Sequence, residues 1–262
     1  MPTTQHLEAW ALQNFPNVKG GDDLATLIWA ALHDNRLTLQ PNDVLVIASK
    51  VVSKAENRWV DLSTVTPSAR AEELAAITHK DPRFVELVLR ESVAISRARP
   101  HVLIVQHRLG WVSANAGIDQ SNVGENGEGK VLLLPQNPDA SAQHLREALE
   151  KHSGCSIGVV ITDTHGRPFR MGNVNIALGA SGLPTLIDQR GEKDRYGRVL
   201  QATLTGYADQ VAAAAGLLMG EANEGQPIIL IRGLNLNRPY GTGRDLIRPA
   251  EQDLYVFSKE TS

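Results

Sequence analysis

Behind Gly20-Gly21-Asp22-Asp23, the apolar residues Leu24, Leu27, Ile28, Ala31 and Leu32 recur at the helical period and predict a helix capped by those acids. Residues 7–15 alternate loosely and read as an edge strand stopped by Pro16. The run DVLVIA at 43–48 is a short buried strand, and 155–162 is a second one. Residues 67–80 and 82–92 predict a helical pair separated at Pro82. Strands are expected at 101–105, 130–134, 227–233 and 253–257. A helix capped by Asp139 runs to about Lys151 and stops at Gly154. Another, over 205–219, carries a wide Ala/Leu/Val face. Strands and helices mix without regular alternation, which points to an α+β fold with a mixed sheet. No repeat, low-complexity tract or linker interrupts the chain, so a second unit would have to be an insertion whose boundaries the pattern does not mark.

Composition narrows the classes. The chain has 262 residues, 42% of them hydrophobic, with 26 Lys+Arg against 29 Asp+Glu and a net charge of −3. That is globular composition without the basic field a nucleic-acid binder needs. The single cysteine, Cys155, excludes an intrachain disulfide and a cysteine-based zinc cluster. No apolar run reaches membrane-spanning length and no basic-then-apolar leader opens the sequence, so the expectation is a soluble cytoplasmic protein.

Several short segments carry candidate chemistry. Gly124, Gly129 and Lys130 approach the spacing of a phosphate-binding P-loop. Val131 replaces the required hydroxyl, a strand-like run follows, and Glu125 and Glu128 would repel phosphate, so a P-loop is rejected. The segment ASKVVSKAE at 48–56 sets Ser49, Lys50, Ser53 and Lys54 behind a strand; phosphate contact and an ordinary solvated turn both fit. ANAGIDQSN at 114–122 places Asp119 and Asn122 among small residues, as either a hard-cation site or an Asx turn. ITDTHGRPFR at 161–170 converges Asp163, Thr164, Arg167 and Arg170, as a Mg2+ and anion site or as a salt-bridged turn; His165 reads as a turn residue. MGEANEG at 219–225 puts acids at the end of a helix, tolerable beside a cation and otherwise an exposed loop. Arg232, Arg238, Arg244 and Arg248 suggest recognition of a small anion.

In this order, FPNVKGGDDL, DVLVIASKVVSKAE, ANAGIDQSNV, VLLLPQNPDASA, GVVITDTHGRPFRMG, ADQVAAAAGLLMGEANEG and the closing IRGL resemble the coenzyme F-420:L-glutamate ligase family. The resemblance implies a GTP-dependent amide ligase that adds L-glutamate to a deazaflavin coenzyme precursor, with a divalent-metal site (Mg2+ or Mn2+). It also implies an intertwined homodimer of α+β subunits, each of two intimately associated subdomains. Carried over, Asp119 and Asp163 would hold one metal, and Thr164 and Glu221 a second. Phe15, Pro16, Asn17, Val18, Ser49, Lys50, Lys54 and Asn122 would contact the nucleotide. So would the loop of Met219, Gly220, Glu221, Ala222, Asn223, Glu224, Gly225 and Gln226. Lys54, Asp119 and Asp163 would be catalytic. Two departures stand out: Asn57 occupies the glycine position of the family's AEGR motif, and NFPN replaces the common GLPE-like opening. The same acids also suit a metal-dependent phosphohydrolase, and the same segments a nucleotide-binding module without turnover.

Overall fold

The computed structural model describes residues 6–120 and 129–253. Asn122, the rejected P-loop residues Gly124, Glu125 and Glu128, and all but the first residue of the strand expected at 253–257 lie outside that range.

In chain order the elements are β1 (Glu8–Ala11), α1 (Leu24–Asp34), β2 (Val44–Ala48), α2 (Ser49–Ala55) and β3 (Trp59–Asp61). Then come α3 (Ala69–Thr78), α4 (Pro82–Arg90), β4 (Ser92–Arg99), β5 (Val102–His107), β6 (Val112–Ala114) and β7 (Lys130–Leu132). The last third holds α5 (Pro138–Ser153), β8 (Gly158–Gly166), β9 (Asn173–Ser181), β10 (Leu186–Asp188), β11 (Leu204–Gly206), α6 (Tyr207–Met219) and β12 (Ile228–Arg232). The fold is α+β, as the pattern predicted.

The main sheet has the order β1-β12-β2-β8-β9; only β2 and β8 run parallel. Its two faces bury two cores. Leu45, Ile47, Val159, Ile161 and Leu230 pack against α1 and α5. Val44, Val46, Val160, Ile229 and Ile231 pack against α6. Strands covered on both sides are apolar without alternation, which is why β2 and β12 read as continuous runs. A third core is drawn entirely from residues between Leu62 and Leu133 and joins α3 and α4 to β5 and β7. One bulge interrupts the main sheet: Ile161 faces Gly179 and Thr162 faces Ala177, leaving Leu178 as the extra residue of β9.

Local signals hold at several termini. Asp23 caps α1 by accepting from Thr26 N, and Gly154 ends α5 in the left-handed region at φ 70°. Four expectations need correction. Residues 49–55 form a helix rather than a turn, with no capping side chain at Ala48. Asn137, not Asp139, caps α5; the Asp139 carboxylate instead accepts from the backbone amides of Ala180 and Gly243 and ties α5 to the edge of β9. β8 continues past Thr162 to Gly166 because β9 pairs with it along its length, so Asp163 and Thr164 lie inside a strand, not in a loop. Ser92 opens β4 instead of ending a helix.

Candidate functional site

The parallel pairing of β2 and β8 sets Ala48, the last residue of β2, beside Thr162, and β8 runs on past it to Gly166. α2 follows Ala48 with no intervening loop, which delivers Ser49 and Lys50 directly to Asp163. The Ser49 hydroxyl donates to Asp163 Oδ1 over 3.1 Å. Lys50 Nζ lies 2.5 Å from Asp119 Oδ2, so residues far apart in sequence share one small volume.

Asp119 is held by its backbone. Its amide donates to Leu132 O at 2.9 Å and its carbonyl accepts from Leu132 N at 3.0 Å. Just upstream, Asn115, Ala116 and Gly117 all have positive φ, at 54°, 54° and 68°. Asn and Gly tolerate that region, but Ala116 is strained there by about 1–2 kcal/mol, and its burial shows the surroundings enforce it. A β-carbon at Gly117 would lie 2.6 Å from Leu134 Cδ1, so a larger residue would have to displace that leucine as well as adopt a positive φ. Strain of this kind collects at functional sites.

Desolvation dominates the electrostatics. It pushes the Asp163 carboxyl up from 3.8 to about 7; Ser49, the Thr164 amide and Lys50 pull down, and nearby Asp119 pushes up further. Burial is the main cause that lowers the Lys54 ammonium; Lys50 adds to it, and Asp119 opposes both. Burial also lowers the His165 imidazole, which lies within β8 and not in a turn.

Successive side chains of a strand point to opposite faces. Ile161 belongs to the α1–α5 core and Val160 to the α6 core, so Asp163 projects toward α2 and Thr164 toward α6. There the Thr164 hydroxyl meets the Glu221 carboxylate, 3.1 Å from each oxygen. Glu221 arrives because α6 stops at Gly220, whose missing side chain makes room for the Glu224 carboxylate. Sequence reading missed Asn175, which is buried directly across from Thr164 and donates to Met219 Sδ at 3.6 Å, fixing the end of α6. Its signal was a polar residue inside the apolar run NVNIALGAS.

The flanking segments reach the same end of the sheet. Leu12 N donates to Ile228 O, and Ala48 N donates to Pro227 O, so the stretches holding Phe15 to Val18 and Met219 to Gln226 flank β12 and α2. Gly21 N donates to Ala55 O and closes the first stretch onto the end of α2. Phe15 packs on the main core and Val18 is buried in it, which leaves Pro16 and Asn17 as the more accessible of the four. Met219 is likewise a core residue, while Ala222, Asn223, Glu224 and Gly225 are exposed. Three of the four late arginines are engaged within the protein, and among the described residues only Arg244 of this set keeps an exposed side chain without such a role. Arg232 forks onto buried Asp43 at 2.8 and 2.7 Å, Arg238 pairs with Glu192, and Arg248 donates to Gln252 O. Arg167 closes the β8–β9 turn by donating to Met171 O.

Asp119, Asp163, Thr164 and Glu221 offer only oxygen, the donor set of a hard divalent cation. Among the described residues no three acidic, His or Cys side chains converge. The donors come as two separate pairs, which suits an ion that shares its shell with water and phosphate oxygens.

Acids, lysines and hydroxyls thus gather where β2 ends beside β8 in an α+β fold. Residues 13–233 match the family described as F420-0:Gamma-glutamyl ligase. The coenzyme F420:L-glutamate ligase of Methanopyrus kandleri is 46% identical over 242 residues, covering 91% of this chain and 93% of that protein. Its namesake from Archaeoglobus fulgidus is 43% identical over 248 residues, covering 95% of this chain and 96% of its own. That of Haloarcula marismortui is 39% identical over 254 residues, with 95% of each covered. The chain therefore belongs to this family of amide-forming ligases. No helix among the described residues is long and apolar enough to cross a membrane.

Proposed function

We propose that this protein joins L-glutamate to the precursor of coenzyme F420 in a GTP-dependent reaction that passes through an acyl phosphate and releases GDP and phosphate. One observation supports it above others: Ser49, Lys50, Asp119 and Asp163 converge at one strand end in a chain that belongs to this ligase family. A carboxylate is a poor electrophile. Its oxygen first attacks the γ-phosphorus of GTP, the bond to the β-bridging oxygen breaks, and GDP leaves. The glutamate nitrogen then attacks the acyl carbon, phosphate departs, and the nitrogen loses a proton.

Lys54 and Lys50, one helical turn apart on α2, neutralise charge on the phosphoryl oxygens in this reading. Ser49 orients Asp163. The exposed 222–225 loop, with Asn17, bounds the nucleotide. Asp119 and Asp163 hold one Mg2+ or Mn2+, and Thr164 and Glu221 a second. Such an ion supplies charge neutralisation and a template for the phosphates. The protein works as a homodimer.

The test replaces glutamate by hydroxylamine. With GTP, Mg2+ and the coenzyme precursor, mass spectrometry should detect the coenzyme hydroxamate, and omission of GTP or Mg2+ should abolish it. A phosphohydrolase would release phosphate at a rate indifferent to the coenzyme. A binding module would retain GTP without product. Either result, with no hydroxamate and no glutamylated product, overturns the proposal.

A further inference from the structure

Asp119 belongs to the stretch that builds the third core, whereas Asp163 stands on the main sheet and Ser49 and Lys50 open the helix that leaves it. The site forms only if these two bodies meet in a fixed geometry. The chain passes between them twice, just after α2 and again between β7 and α5, and the two passages are bonded to each other. Leu133 N donates to Arg58 O at 3.1 Å, Arg58 Nε donates to Leu134 O at 3.0 Å, and Gln136 N donates to Glu56 Oε2 at 3.1 Å.

One carboxylate oxygen gathers this joint. Glu91, the residue that ends α4, presents Oε2 to Arg108 Nε at 3.1 Å, to Arg58 Nη2 at 3.5 Å and to His107 Nε2 at 3.5 Å. Two segments supply the partners: Arg58 lies in the passage after α2, and His107 and Arg108 are neighbours at the end of β5. Arg108, at the end of β5, also donates to Gln136 O in the returning passage. His107 is fully buried, stacked on Trp111 at 4.7 Å, and its Nδ1 accepts from Leu109 N, which leaves the proton on the nitrogen facing Glu91. Burial pushes the Glu91 carboxyl up, but His107 and the two guanidiniums outweigh it and hold it below the usual range. A charge so placed, with its partners mostly out of water, is costly to remove singly because the partners are left uncompensated.

We infer that Glu91 is a positioning residue of the active centre: its shared oxygen clamps the body that carries Asp119 against the start of the β7–α5 passage and the end of α2. The clamp sets where Asp119 meets Lys50 and Asp163. Glu91 touches no substrate; it acts through Arg58, Arg108 and His107. The inference rests on the proposed reading for its effect on turnover, but its structural half does not.

Two variants test it, Glu91→Gln, which keeps shape and removes charge, and Glu91→Asp, which keeps charge and shortens the reach. Amide hydrogen exchange should be at least tenfold faster in Glu91→Gln at Ile118, Asp119 and Leu132, whose amides close the Asp119 turn. The amides of β2 and β8 should keep their protection. Turnover should drop at least tenfold with the KM for GTP within about twofold, since the nucleotide loops sit on the main sheet. Glu91→Asp should recover part of both, and it carries the test alone if Glu91→Gln does not fold. Unchanged exchange at the three amides overturns the inference. So does equal loss of protection across β2 and β8, which would mark Glu91 as merely structural. If the unsubstituted protein forms no ligation product, the proposed function fails, and the exchange result still decides the role of Glu91.

Discussion

Replacing Asp163 with asparagine should make the metal-free protein more stable at pH 8 while ending its activity. The carboxyl is half-buried, near a second carboxylate, and its proton affinity rises from an ordinary 3.8 to about 7. That gap, at about 1.4 kcal/mol per tenfold change, sets an upper bound of about 4 kcal/mol on the cost of ionising it in the folded state. Screening at a half-open site brings the expectation to roughly 2 kcal/mol. The sign follows from proton binding. Below pH 3.8 the group is neutral in both states and costs nothing. Between 3.8 and about 7 the unfolded chain has released the proton while the folded one keeps it, so stability falls as pH rises. Above about 7 the penalty is complete. Asparagine keeps the shape and still accepts from Ser49, so it removes the penalty with little repacking. Urea unfolding in EDTA, at one protein concentration, should give the variant an advantage of about 2 kcal/mol at pH 8 and about half that at pH 5.5. An advantage that does not change with pH, or a variant less stable than the parent at pH 8, would refute the reasoning. Near-normal turnover of the variant at limiting Mn2+ would refute the role given to Asp163.

Two further outcomes are expected. Lys54→Met keeps length and loses the ammonium, so GDP binding by calorimetry should weaken and turnover should fall at least tenfold; if neither changes, Lys54 is an ordinary surface lysine. Gly179→Ala puts a β-carbon 2.5 Å from Pro138 O and 2.6 Å from Asp139 N, both backbone atoms that cannot rotate away. It should destabilise by about 1–3 kcal/mol and lower the urea midpoint; an unchanged midpoint would show that α5 can slide along the sheet.

What the sequence revealed was largely what is settled locally. Asp23, Pro82 and Gly154 announce helix ends through bonds made within a few residues, and those ends fell where the pattern put them. β9 stayed hidden because its strand character comes from pairing with β8 and from shielding by α5 and α6, partners that no window of NVNIALGAS contains. β4 stayed hidden because two register shifts and its arginines break the alternation. α2 begins without a capping side chain and carries Val51 and Val52, weak helix formers, so its helicity depends on burying them in the main core. For the site, the acids and lysines were legible as residue types; their partners were not. Arg232 looked like an anion binder until Asp43, 189 positions away, was seen to occupy it. Asn57 illustrates the reverse: it departs from the family's usual glycine, yet it holds φ 54°, which asparagine tolerates, and its side chain occupies the space beside Gly20.

The extra residue in β9 acts on the pleat like a phase shift on a wave. Counting back from Ala180, which faces α6, strict alternation would aim Leu178 and Ile176 at that helix. With Leu178 out of step, Ala177 and Asn175 face it instead, and Leu178 turns into the cluster with Trp111 and Leu134. A small residue and a carboxamide thus lie under the end of α6, where two bulky aliphatics would lift Met219 and carry Glu221 away from Thr164. The support under Glu221 therefore depends on the neighbouring strand, where the bulge absorbs Leu178 without turning the rest of β9 over. Straightening the strand with Leu178 kept in the ladder would turn Ala177 and Asn175 away from α6 and pull apart the Thr164–Glu221 half of the centre, whereas excising Leu178 would leave both facing that helix.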